Sequence, residues 1–272
     1  MTLMDEILDF LPKSPYFDIP IIKLWYTALL LLKLPDKTEY YHQLKSLLHE
    51  HNSLINKTEK RMLYASLENT TRVIFESRPY YKALFELYSA QLQNGVMYIN
   101  NYIQPISLKN MLTVALRLER VEWLEQFLEE HKDKMPPEYE DRDNVYRYSL
   151  VRLRIEQEKF DDALGILNQV VSVDFFTNMD VRRALLMVYY EMEYTDMFES
   201  EVNRFRVYLT NNQDDISLVH LQAYRDFNNI IDNIYKTMKR DQDRLDQLEN
   251  QINNTQILPE RKWLLEKLQE KR

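Results

Sequence analysis

His49-Glu50-His51 is the segment whose residue types most resemble a metal site. A helical zinc motif sets its two histidines at i and i+4, on one face. Histidines at i and i+2 diverge by about 200° on a helix, so His49 and His51 cannot share an ion there. His42 lies on the same face as His49, but no carboxylate completes a compact ligand shell around them. The carboxylate pairs Glu129-Glu130, Asp161-Asp162 and Asp214-Asp215 are adjacent in sequence, so their side chains also diverge. Asp161 and Asp162 fit the first turn of a helix, where negative charge complements the backbone dipole. The chain has no cysteine, which removes disulfides, thiolate zinc sites and thiol nucleophiles. It has neither a glycine-rich phosphate loop nor a glycine-flanked serine. The expectation is a protein with no catalytic residues, no metal and no cofactor.

Arginine and tyrosine offer a different chemistry. The planar guanidinium fork matches carboxylates, and tyrosine adds a broad amphipathic surface. Such groups act together only if the fold places them on one face.

Only two of 272 residues are glycine, Gly95 and Gly165. Sheet and nucleotide-binding folds need many more, for hairpins, bulges and close backbone approaches. An all-α fold is therefore expected. Hydrophobic residues make up 45% of the chain, enough for a substantial core. Between the nine prolines, apolar residues recur at i, i+3, i+4 and i+7, as in Leu108, Met111, Leu112 and Ala115. This predicts helices near 19–34, 38–52, 58–77, 80–94, 106–119, 121–133, 142–157, 160–171, 178–192, 195–210, 216–239, 241–253 and 259–270. Short connections between them imply antiparallel helix pairs. The fullest breaks are 94–104 and 134–141, and neither reads as a flexible linker. Residues 1–272 are expected to form a single helical-repeat array, with 216–272 as capping helices. Leu245, Leu248 and Ile252 would supply the inner seam of that cap.

A period emerges around Glu158-Lys159-Phe160-Asp161-Asp162-Ala163-Leu164, which resembles the turn and second-helix start of a tetratricopeptide repeat. Tyr194 stands 34 residues later, and Val121 plays the same part 39 residues before Phe160. Only Ala163 keeps the small residue expected three positions on. The clearest repeats thus occupy 105–210, and the resemblance implies an antiparallel helix-pair solenoid with a right-handed superhelical twist. In such arrays the first helix of each pair lines a concave groove. Aligning the repeats puts Lys109, Asn110, Thr113 and Arg117 on that face. Tyr148, Ser149, Arg152 and Glu156 follow, then Arg182, Arg183, Tyr189 and Tyr190. The layout is similar to that of carboxylate-clamp repeats, with Thr113 and Ser149 where that pattern has Asn. The candidate partner-binding residues are Lys109, Asn110, Arg117, Tyr148, Arg152, Arg182, Arg183 and Tyr189.

A wider likeness rests on Tyr102, Lys109-Asn110, Leu116-Arg117-Leu118, Trp123, Phe127, Met135-Pro136, Tyr148, Phe160, Ala163-Leu164 and Asp174. It continues through Tyr189-Tyr190-Glu191, Phe205-Arg206-Val207-Tyr208 and Lys262-Trp263-Leu264-Leu265. In these the chain resembles a family of uncharacterised bacterial helical-repeat proteins. That resemblance implies a packing scaffold with no assigned activity, and longer members with further repeats upstream. Where the family places basic residues after Phe-Arg-Val-Tyr, this chain has Asn211-Asn212-Gln213-Asp214-Asp215.

Net charge is −8, with most of the acidic excess in the second half. Nucleic acid is not an expected partner of so acidic a chain. The most apolar run, 19–34, is interrupted by Lys23 and Lys33, short of the roughly 20 residues a membrane span needs. The segment has no basic leader and no small-residue cleavage site, so a cytoplasmic location and no membrane partner are expected. The expected role is a non-catalytic scaffold that binds another protein or peptide, acidic or extended, through the basic-aromatic groove. The alternative is a regulatory sensor that takes a small peptide or nucleotide in its superhelix. A more distant one is an enzyme, marked by a cleft that clusters histidine with carboxylates.

Overall fold

The computed structural model describes residues 2–171 and 175–272, and these are almost entirely helical. Asp174, one of the residues behind the family likeness, lies outside the described residues. The chain divides into two compact units, 1–142 and 143–272. The division falls just after the 134–141 break, within what sequence periodicity treats as one array.

The first unit contains α1 (Leu3–Phe10), α2 (Pro20–Lys33), α3 (Thr38–Glu50), α4 (Lys57–Ile74), α5 (Ser77–Gln93), α6 (Pro105–Arg117) and α7 (Val121–His131). Each helix packs on the next in sequence, and α2 also reaches α4. Local chemistry sets the starts. Pro20 and Pro105 occupy first-turn positions that need no N–H donor, and Asn56 forms a reciprocal capping box with Glu59. Leu24, Leu31, Tyr41, Leu44, Leu63 and Leu67 form the centre of the core. The periodicity begins at residue 19 and overlooks α1, whose signal is the Thr2–Asp5 capping box.

The 94–104 break holds a second addition, a small hairpin. Strands β1 (Tyr98–Ile99) and β2 (Tyr102–Ile103) pair antiparallel around Asn100-Asn101, both at positive φ. Asparagine tolerates that conformation, so a two-residue hairpin forms here without glycine.

The second unit contains α8 (Arg142–Glu156), α9 (Phe160–Leu167), α10 (Phe175–Glu191), α11 (Thr195–Asn211), α12 (Leu218–Lys236), α13 (Gln242–Asn254) and α14 (Arg261–Gln269). Its core gathers Phe198, Phe205, Phe227, Leu186, Ile230 and Leu264 from these helices. Leu245, Leu248 and Ile252 are buried where α13 turns inward. Asp161 and Asp162 occupy the first turn of α9, as their dipole complementarity predicts.

One turn geometry recurs after α6, α8 and α10. Glu119, Glu158 and Glu193 all adopt left-handed backbone, with φ of 58°, 57° and 55°. The following residue donates its N–H five positions back: Arg120 to Ala115, Lys159 to Arg154 and Tyr194 to Tyr189. Helix ends of this kind usually carry glycine, and Gly95 closes α5 in the same way, through the Val96 N–H and the Gln91 carbonyl. The structural equivalent of Phe160 is therefore Thr195, not Tyr194, one position away from the alignment read in sequence. Left-handed backbone costs a residue with a Cβ about 1–2 kcal/mol, while glycine forfeits about 0.4–1 kcal/mol through the unfolded chain. Glu158→Gly is accordingly expected to stabilise by about 0.5–1 kcal/mol in urea unfolding, whereas Glu158→Ala, which keeps the Cβ, brings no such gain.

Candidate functional site

The predicted groove residues fall in both units. Lys109, Asn110 and Arg117 belong to the first. Asn110 and Arg117 are exposed, and Arg117 lies over the Tyr81 ring at 5.8 Å. Thr113 turns its hydroxyl back to the Lys109 carbonyl. Tyr148, Arg152, Arg182, Arg183 and Tyr189 belong to the second unit. There Tyr148 and Tyr189 are buried in the core, and Ser149 is fully buried with its hydroxyl on the Val145 carbonyl.

Arg152 and Arg183 are drawn together, and they already hold a carboxylate. Arg152 grips Glu260 with both arms of its fork, one bond to Oε1 and one of 3.0 Å to Oε2. Arg183 brings its Nε within 3.3 Å of the same Oε1. Its Nη2 reaches Asp180 Oδ1 at 2.9 Å and donates to the Tyr148 hydroxyl at 2.9 Å. Tyr224 in turn donates to Asp180 at 3.0 Å and offers its ring face to Arg183. Two guanidinium charges thus meet two carboxylates in a site where the arginine and Glu260 side chains are no more than 15% exposed. Burial opposes the charge on Arg152, but attraction to Glu260 outweighs it and holds the guanidinium protonated more firmly than usual. Burial also pushes the Tyr148 and Tyr224 hydroxyls above their ordinary range.

The turn that delivers Glu260 is held on both flanks. Glu260 itself has φ 53°, and Arg261 donates to the carbonyls of Ile252, Asn253, Thr255 and Gln256 at the end of α13. Beyond it, Trp263 Nε1 donates to Glu191 Oε1 at 2.6 Å, and Lys267 donates to Glu191 Oε2 at 3.0 Å. An external carboxylate at Arg152 would have to displace a bidentate partner supplied by the same chain.

Arg182 points elsewhere. It pairs with the buried Glu201 at 2.7 Å and covers the Tyr208 ring at 4.8 Å. Burial raises the Glu201 carboxyl, and Arg182 works against that rise. Arg182 opens onto a cleft of ≈ 500 Å³ along α11, which Arg204, Asn203, Tyr208, Asn211 and Asn212 also line. Arg204 is exposed and makes no salt bridge among the described residues. The candidate residues read from sequence lie on α6, α8 and α10, which leaves out Arg204 on α11 and Glu260 in the turn before α14. Pro259 was the one sequence signal for that turn.

Of the histidines, His42 packs against Tyr41 and Phe75, His51 lies 3.7 Å from Glu50, and His220 meets Ser217 at the start of α12. His131 is buried beside Tyr98 in the first unit. Among the described residues no three histidine or carboxylate side chains gather as metal ligands. No helix among them is long and apolar enough to cross a membrane. Comparison with protein-family models, curated proteins and solved structures finds no significant match to this chain.

Proposed function

We propose that this chain is a non-catalytic interaction scaffold, a tetratricopeptide-like helical-repeat protein that binds an acidic, extended segment of another protein. The observation that supports this reading is the α11 cleft, where Arg182 and Arg204 stand beside Tyr208 and the exposed amides of Asn203 and Asn211. Guanidinium forks suit the carboxylates of such a segment. Asparagine amides can both donate to and accept from the backbone of an extended peptide. Arg204 has the freer charge of the two, because Arg182 is already engaged by Glu201.

The test is Arg204→Gln, which removes the charge without setting a carboxylate near buried Glu201, a group Arg204 also attracts. Arg182→Glu is a poorer choice, since it would set a second carboxylate against buried Glu201. Affinity capture from native lysate, compared between the two chains, should show partners retained by the wild type and lost by the variant. An acidic peptide from such a partner should bind the variant at least about tenfold more weakly, as expected for loss of a charge-assisted pair. The unfolding midpoint should not move. Equal capture and equal peptide affinity would remove the cleft as the binding surface.

A further inference from the structure

A second cleft lies wholly within the first unit, between the end of α5 and one face of α7. It encloses ≈ 360 Å³, at the small end of ligand sites. One wall is a row of rings at four-residue spacing on α7. Trp123 stacks on Phe127 at 5.1 Å, and Phe127 meets His131 at 4.3 Å. Tyr98, from the hairpin, stacks on His131 at 5.8 Å and closes one end.

Tyr98 and Glu130 offer acceptors to this cleft. His131 Nδ1 is 2.7 Å from the Phe127 carbonyl, which can only accept, so the imidazole proton sits on Nδ1. His131 Nε2 therefore accepts from the Tyr98 hydroxyl at 2.7 Å. That bond commits the phenolic proton and leaves the Tyr98 oxygen as an acceptor only. Glu130 presents an exposed carboxylate at the rim, steadied by Gln126 at 2.8 Å. Ser89 buries a hydroxyl that has no hydrogen-bond partner among the described residues. No lysine or arginine lines the cleft.

The opposite wall says what would fit. Tyr81, Phe85, Ser89 and Gln93 follow one another at four-residue spacing on α5. The first two rungs carry rings, and each ring is covered by a guanidinium of this chain: Arg117 over Tyr81 at 5.8 Å and Arg120 over Phe85 at 5.9 Å. At the third rung the ring is replaced by Ser89, and there the cleft opens. We propose that this cleft binds a guanidinium group, which takes the space the missing third ring leaves, lies against the α7 rings and donates to Glu130 and the Tyr98 oxygen. The cleft is separate from that on α11 and of opposite electrostatic sense, so either assignment stands without the other.

The full chain should be titrated with argininamide and followed at the Trp123 indole N–H in 1H–15N spectra. Saturable shifts in the millimolar range or tighter are expected. Lysinamide lacks the planar fork and should bind at least about fivefold more weakly. Glu130→Gln, an exposed substitution, should weaken argininamide at least about tenfold with the helical circular dichroism unchanged. Ser89→Phe, which fills the third rung with a ring, should abolish the shifts. If that variant fails to fold, Glu130→Gln decides alone. A short arginine-containing peptide amide separates the sources. Tighter binding than argininamide points to an arginine of a partner protein, and equal binding to a free guanidino compound. No saturable shift up to roughly 20 mM would overturn the proposal. So would Glu130→Gln binding within about twofold of wild type, or equal binding of lysinamide.

Discussion

Glu260→Ala is expected to destabilise the 143–272 unit by about 3–5 kcal/mol, the cost of stripping one partner from a buried ion pair. Urea unfolding should show this as a lower midpoint with an unchanged slope. The reasoning turns on which charge is orphaned. Arg183 keeps Asp180 and the Tyr148 hydroxyl. Arg152 loses both bonds of its fork and remains a buried cation. Backbone strain gives a separate handle, because Glu260 sits at φ 53°. Glu260→Gly loses the same carboxylate but relieves the strained backbone, so it should be less damaging than Glu260→Ala by about 1 kcal/mol. Adding Arg152→Met to Glu260→Ala removes the orphan as well. A buried pair replaced by apolar groups is often neutral, so the double variant should recover most of the loss. A cost below about 1 kcal/mol for Glu260→Ala would mean that water reaches Arg152, and that the network is not desolvated.

The same network shows why the helices were legible in sequence and the site less so. Helix positions follow from local rules: apolar spacing for Leu108, Met111, Leu112 and Ala115, and proline at the first turn of α2 and α6. The spacing of candidate residues on α8 and α10 also brought Arg152 and Arg183 to one place. What spacing could not show is that residue 260, over a hundred positions beyond Arg152, returns a carboxylate to them. That contact depends on how α13 and α14 fold back, a long-range event with no local signature beyond Pro259. The face assignment failed for Tyr148 and Ser149 for a related reason. Helix α8 is apolar on more than one side, so its periodicity does not say which side meets solvent. The Tyr98–Tyr102 hairpin was legible in principle: Tyr-Ile-Asn-Asn-Tyr-Ile puts a two-residue turn between paired strands. Scarcity of glycine masked it, since asparagine serves the same backbone. The α7 ring row at 123, 127 and 131 was likewise present in sequence, but its meaning depends on the serine facing it from α5.

Phe198→Ala should cost the second unit about 3–5 kcal/mol, and Phe198→Leu less than about 1.5 kcal/mol. Phe198 is fully buried near the start of α11. Its ring lies 4.4 Å from Tyr235 and 6.0 Å from Tyr190, which meets Trp263 edge-on at 5.4 Å. The cluster therefore joins α10, α11, α12 and α14, and truncation to alanine leaves a void lined by the Tyr235 and Tyr190 rings, with Trp263 packed behind Tyr190. Those rings cannot collapse freely. Tyr235 is held by its bond to Thr195 at 2.7 Å, and Trp263 by its bond to Glu191 at 2.6 Å. A void that cannot close carries the full cavity cost, which places alanine near the upper end of the range. Amide exchange should accelerate in α14 as well as α11, because the cluster docks the C-terminal helix. The experiment also separates two uses of these aromatics. If they form a packed core, alanine is costly and leucine is tolerated. If Tyr190 and Trp263 instead form a yielding ligand surface, both substitutions cost under about 1.5 kcal/mol and exchange in α14 does not change.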